Sequence, residues 1–78
     1  KSMIGQSYST GGLMGVGAAL MTLERGILSP TVNLEDPDPA CDLDFVPLKA
    51  RMNDIDSALI VSISFGGTHC ATVLRKVA

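Results

Sequence analysis

The single histidine of the chain, His69, stands beside one of its two cysteines, Cys70. Those two residue types supply general base and nucleophile in thiol chemistry. On a strand, however, adjacent residues point to opposite faces, so the imidazole cannot reach its neighbour. Two cysteines and one histidine also leave a four-ligand zinc set incomplete. Structural roles are expected for both residues. Glu35, Asp36, Asp38, Asp42 and Asp44 crowd into one short stretch, a donor set that suits a hard cation. That stretch lacks the calcium-loop glycine and closing glutamate, and Pro37 and Pro39 stiffen it. It reads as a solvated acidic loop. GGLMGVG, from Gly11 to Gly17, opens an apolar run in the manner of a phosphate cradle. Its spacing is not G-x-G-x-x-G, and no glycine-lysine-serine/threonine follows. Close helix packing accounts for it better. What remains is a lysine at Lys1, a glycine loop and a Phe65-Gly66-Gly67 turn, which do not add up to a complete catalytic apparatus.

These residues need elements to hold them. Leu13, Val16, Leu20 and Leu23 recur at helical spacing, and Met14, Ala18 and Met21 widen the stripe, so the helix should bury more than one side. Ser9 or Thr10 can cap its start, and Gly26 behind Glu24-Arg25 is a natural stop. Gly12, Gly15 and Gly17 each cost ~1 kcal/mol relative to alanine. Their presence predicts another backbone pressed against a central helix. Residues 1–12 read as a loop, and Ile27 to Leu34 as a short extended piece broken by Pro30. Asp42 to Val46 alternates and predicts a short strand, while Lys49 to Asp56 reads as a connection. Ser57 to Phe65 is the strongest strand, apolar enough to be covered on both faces. Gly66-Gly67 then turn the chain into a second strand over Thr68 to Val77. The fold class is α/β: one buried helix followed by two to three sheet strands.

Of 78 residues, 46% are hydrophobic, 18% charged and 4% aromatic, with a net charge of −2. A disordered segment would be poorer in apolar residues and richer in charge. No basic field exists to hold nucleic acid. The longest nearly apolar stretch, Gly11 to Leu23, is shorter than the ~20 residues that cross a bilayer. The opening residues carry no secretory pattern. A cytoplasmic setting with free thiols at Cys41 and Cys70 is therefore expected, with no nucleic-acid or membrane partner and no cofactor. The apolar excess and the start at Lys1 together suggest a piece of something larger.

Three stretches resemble one family. KSMIG, at residues 1–5, is similar to the lysine-serine-x-x-glycine segment of β-ketoacyl synthases, the condensing enzymes of fatty-acid and polyketide synthesis. ILSPTVNLEDPDPACDLDFVP resembles the family's proline-threonine-x-asparagine stretch and the acidic loop behind it. ALIVSISFGGTHCATVL resembles its closing hairpin. The resemblance implies the C-terminal portion of a thiolase-type layered α/β/α/β/α fold, with residues 1–78 as part of a single ketosynthase-like domain, incomplete alone. It implies that Lys1 is the family lysine that organises the active-site hydrogen bonds. Phe65 would be the gating phenylalanine, whose backbone N–H helps build the oxyanion hole, and Gly66 and Gly67 the turn beside the thioester. The nucleophilic cysteine of active members would lie upstream.

The departures carry functional information. Where active members have a histidine, this chain has Gln6, and where they have alanines and a glycine it reads SYSTGG. His69 replaces an asparagine, and Ile63-Ser64 replace phenylalanine-glycine. Glutamine donates and accepts hydrogen bonds but takes up no proton near neutral pH. The pattern is similar to that of chain length factors, the ketosynthase-like partner subunits of type II polyketide synthases. It implies a largely non-catalytic subunit that pairs with an active ketosynthase in a heterodimer, shapes the acyl tunnel and meets an acyl carrier protein, with the N-terminal remainder of its own domain as a further partner. The alternative is part of a divergent but active β-ketoacyl-acyl carrier protein synthase, an acyltransferase that carries out decarboxylative condensation.

Overall fold

The computed structural model describes residues 1–77. Helix α1 runs Gly11–Arg25 and ends where expected, on Gly26 at φ +66, whose N–H donates to the Thr22 carbonyl at 2.8 Å. Glycine enters that left-handed conformation without a Cβ penalty. The start differs from expectation. The helix is entered through a 3₁₀ turn, Tyr8–Thr10, and Thr10 precedes it without capping it. The Thr10 hydroxyl donates instead to the Ser7 carbonyl at 2.9 Å.

The strongest strand forms β3, Ser57–Ile63, and pairs antiparallel with β4, His69–Arg75, in the register Ser57↔Arg75 to Ile63↔His69. Between them, the Ser64 N–H donates to the Thr68 carbonyl at 2.8 Å and the Gly67 N–H to Ser64 at 3.2 Å. Gly66 and Gly67 both stand at φ +85, which explains the residue type there. Ala58, Ile60 and Ser62 face α1, half-buried, while Leu59, Val61 and Ile63 on the other face are exposed. The described residues thus cover one face of β3, not the expected two.

The helix is likewise covered on one side only. Its packed stripe is Gly12, Gly15, Val16, Ala19 and Leu23, and among the described residues only Leu23, 6% exposed, is buried. Leu13 and Leu20, assigned to the buried stripe from spacing, are exposed. A Cβ on Gly15 would stand 3.1 Å from Ile60 Cγ2, so a side chain, not the expected backbone, presses on that glycine, while nothing lies within 4 Å at Gly17.

The middle of the chain departs most from expectation. Residues 42–46 form no strand. Asp44 Oδ1 accepts the Val46 N–H at 3.1 Å, and Val46 sits at φ +50. A short acidic side chain that captures a nearby backbone N–H competes with sheet pairing, and Pro47 follows without a donor. The segment is held by one residue instead: the Thr31 N–H donates to the Val46 carbonyl at 2.8 Å, and the Leu48 N–H to the Thr31 carbonyl at 3.1 Å. The expected extended piece from Ile27 shrinks to β1, Ile27–Leu28. It pairs with β2, Arg51–Met52, inside what read as a connection. The whole is a mixed α/β arrangement, one helix followed by two small antiparallel sheets.

Candidate functional site

A tight turn begins the approach to the helix. The Lys1 carbonyl accepts from the N–H groups of Ile4 at 3.2 Å and Gly5 at 2.7 Å, with Gly5 at φ +79. The turn aims the next residues, Gln6 and Tyr8, at the end of β3. There they form one wall of an open groove of about 650 Å³, whose other wall holds Ser62, Ser64, Phe65 and Cys70. An adjoining groove of about 390 Å³ is lined by Lys1 and shares Gln6, Tyr8 and Ser62. Lys1, Gln6 and Phe65, far apart in sequence, therefore border one continuous region. Gly66 and Gly67 shape the turn behind Phe65 through their backbone conformation.

The chemistry of the larger groove is neutral hydrogen bonding beside apolar surface, and Lys1 brings positive charge to the adjoining one. Gln6 offers an amide, and Ser62 and Ser64 offer hydroxyls. Among the described residues, no group accepts from the Phe65 N–H. Gly12 forms the floor: a Cβ there would stand 3.7 Å from Ser62 Oγ. Cys70 lies opposite Ser62 in the ladder and shares its face, whereas His69 lies opposite Ile63 on the other. Imidazole and thiol are separated as strand alternation requires. Both cysteines are free and exposed.

Tyr8, Ser62 and Cys70 are among the groove residues that sequence reading did not assign to a site. Tyr8 stands at φ +51, and its ring lies 6.3 Å from that of Phe65, inclined at 37°. No local pattern signals a contact between positions so far apart. Cys70 was legible in principle, since the hairpin register assigns its face.

The acidic stretch works locally. Asp38 Oδ1 accepts the Ala40 N–H at 2.9 Å. Asp44 pairs with Arg51, and the guanidinium hydrogen bond, helped by the Val46 N–H, holds its carboxyl below the usual aspartate range. Among the described residues, no three of the His, Cys, Asp and Glu side chains gather as a metal set. No helix among the described residues is long and apolar enough to cross a membrane.

No protein-family model matches the chain. It is 47% identical over 75 residues to the actinorhodin polyketide putative beta-ketoacyl synthase 1 of Streptomyces coelicolor, covering 96% of this chain and 16% of that protein. It is 45% identical over 76 residues to the tetracenomycin polyketide synthase ketoacyl synthase alpha subunit of Streptomyces glaucescens, covering 97% and 18%. The 3-oxoacyl-[acyl-carrier-protein] synthase 2 of Coxiella burnetii is 40% identical over 77 residues, covering 99% and 19%. The chain thus spans less than a fifth of the length of these curated relatives. Among solved structures it matches a chain of a complex described as a type II polyketide synthase acyl-carrier protein with its ketosynthase bound to the hexaketide. That match has a TM-score of 0.71 and 38% identity, and it covers 74% of this chain and 14% of the other.

Proposed function

Because the chain is homologous to the ketosynthases of type II polyketide synthases along nearly its whole length, we propose that it is the C-terminal portion of a ketosynthase-like domain whose subunit is of the chain length factor kind. In this reading the subunit pairs with an active ketosynthase, lines the tunnel for the growing acyl chain, meets an acyl carrier protein and performs little condensation itself. The observation that carries the reading is Gln6. By the resemblance it stands where active members have the motif histidine, and it lines the same groove as Phe65.

The physical reason lies in the condensation step. When a malonyl-type thioester loses carbon dioxide, the electron pair of the broken carbon–carbon bond becomes an enolate, with charge on the thioester oxygen. That carbanion attacks the acyl thioester carbonyl, and the sulfur leaves with its electron pair. A cationic or proton-bearing group at the oxygen lowers the barrier. Gln6 can offer one neutral N–H, and loss of one such donor costs ~10²–10³ in rate. Lys1 and the Phe65 N–H would retain their positions beside the thioester without completing the set.

A second reading, the divergent but active synthase, draws on the comparisons, because the relatives at 47% and 45% identity bear the names synthase 1 and alpha subunit. Acylation separates the two. With a labelled acyl carrier and the full-length polypeptides, intact-protein mass should place the acyl group on the partner ketosynthase. Gln6→Ala should leave overall condensation within about tenfold, below ~1.4 kcal/mol. A stoichiometric adduct on the subunit that bears this chain, with a thousandfold loss on Gln6→Ala, would establish the active synthase instead.

A further inference from the structure

We infer that Thr31 is a positioning residue for the groove wall: through residues 44–52 it fixes where Ser29 and Pro30 stand beside Lys1. The inference rests on the reading of the groove as part of the acyl tunnel, and it adds the device that sets the wall's place. Ser29 and Pro30 line the adjoining groove together with Lys1, Gln6 and Ile63. Proline fixes its own φ and restricts the residue before it to extended backbone. The pair is therefore a stiff unit, and where a stiff unit sits is decided at its two ends.

Both ends are tied to the same neighbouring segment. Upstream, β1 pairs with β2, Leu28 opposite Arg51. So short a ladder is marginal by itself. Downstream, Thr31 supplies three hydrogen bonds. Its hydroxyl donates to the Phe45 carbonyl, its N–H donates to the Val46 carbonyl at 2.8 Å, and its carbonyl accepts the Leu48 N–H at 3.1 Å. Asp44 Oδ1 accepts from both the Val46 N–H and the Arg51 guanidinium, which joins the two anchorages into one splint. The backbone at the clip is held away from its preferences, with Val46 at φ +50 and Leu48 at φ +66. A β-branched residue is an outlier there. Such conformations persist where the surroundings over-determine them, and they cluster where a chain must hold a site in place. All of these bonds form within the chain itself, whichever of its surfaces are open.

The test is the product-length distribution made by the full-length polypeptide assembled with its active partner. Thr31→Val keeps the branched shape and removes the hydroxyl donor. The ratio of off-length to main product should rise about three- to tenfold, the range that one hydrogen bond supports. Thr31→Ser keeps the donor and should return the wild-type distribution. Equal shifts in the two variants would assign the effect to packing and overturn the role of the hydroxyl. A merely structural role would lower the melting temperature and leave the distribution unchanged. Pro30→Gly softens the wall directly and Ile63→Ala alters the groove at the end of β3, so both report on the groove without touching the clip. If either changes the distribution while Thr31→Val does not, the positioning role is overturned and the acyl groove stands. If neither changes it, the tunnel reading of the groove falls and the positioning role with it. Thermal melts identify a Thr31→Val protein that fails to fold. Asp44→Ala, which unties the other half of the splint, then takes its place under the same criteria.

Discussion

Asp44 shows how one side chain can redirect a segment. By alternation, residues 42–46 should be a strand, but the carboxylate takes a backbone N–H and the Arg51 guanidinium instead. Its folded pKa is lowered by these bonds, so the stabilisation it provides is present above the ordinary aspartate value near 3.8 and is lost as pH falls through the lower, folded value. The pair is solvent-exposed and its effect on global stability small. The expected observation is therefore local: an NMR titration of the Asp44 carboxyl should show a midpoint below the ordinary value that rises in Arg51→Ala. Identical midpoints in the two proteins would remove the ion pair from the account. Tyr8 shows the other limit on legibility. Its partner, Phe65, lies almost the whole chain away, and only the folded backbone brings the rings together.

At the scale of elements, legibility followed locality. The end of α1 at Gly26 and the β3–β4 hairpin are encoded by neighbours in sequence, and both were readable. The β1–β2 pair was not. Arg51-Met52 lacks a strand signature, and its partner Ile27-Leu28 lies beyond the acidic loop. The helix glycines were read as a group, but the structure divides them. At Gly15 a Cβ would stand 3.1 Å from Ile60 Cγ2, while at Gly17 nothing lies within 4 Å. Gly17→Ala should therefore stabilise the protein by up to ~1 kcal/mol through helix propensity. Gly15→Ala gains the same propensity but must displace Ile60, at an overpacking cost of about 1–3 kcal/mol, and should be destabilising on balance. Thermal melts of the two variants in the full-length polypeptide decide it. A Gly15→Ala protein as stable as Gly17→Ala would show that Ile60 yields freely.

At the scale of the molecule, surface is the dominant fact. The chain exposes 6345 Å², whereas a compact monomer of 8.1 kDa exposes about 4,500 Å². Its radius of gyration is 13.4 Å, against about 11.5 Å for a compact chain of this length. The apolar composition had suggested such a shortfall, but which faces lie open could be learned only from the packing. They are the Leu13–Leu20 side of the helix and the Leu59–Ile63 side of the sheet. Alone, with one buried side chain among those described, the 78-residue chain should bind a hydrophobic dye and melt without cooperativity. A dispersed amide spectrum and a sharp melt for the isolated monomer would refute that.

Among the described residues β3 pairs with β4 alone, and for the isolated chain this has a consequence of a different kind. A sheet of two strands has two edges, and each presents a row of backbone N–H and C=O groups to whatever is near. Natural edges are usually blunted by lysine, proline or a bulge. Ser57–Ile63 carries no charge and no proline, and His69–Arg75 carries its only arginine at the last position. With water as the neighbour, those rows are hydrated. With a second copy of the same chain as the neighbour, they are templates, and the ladder can grow from molecule to molecule until it leaves solution.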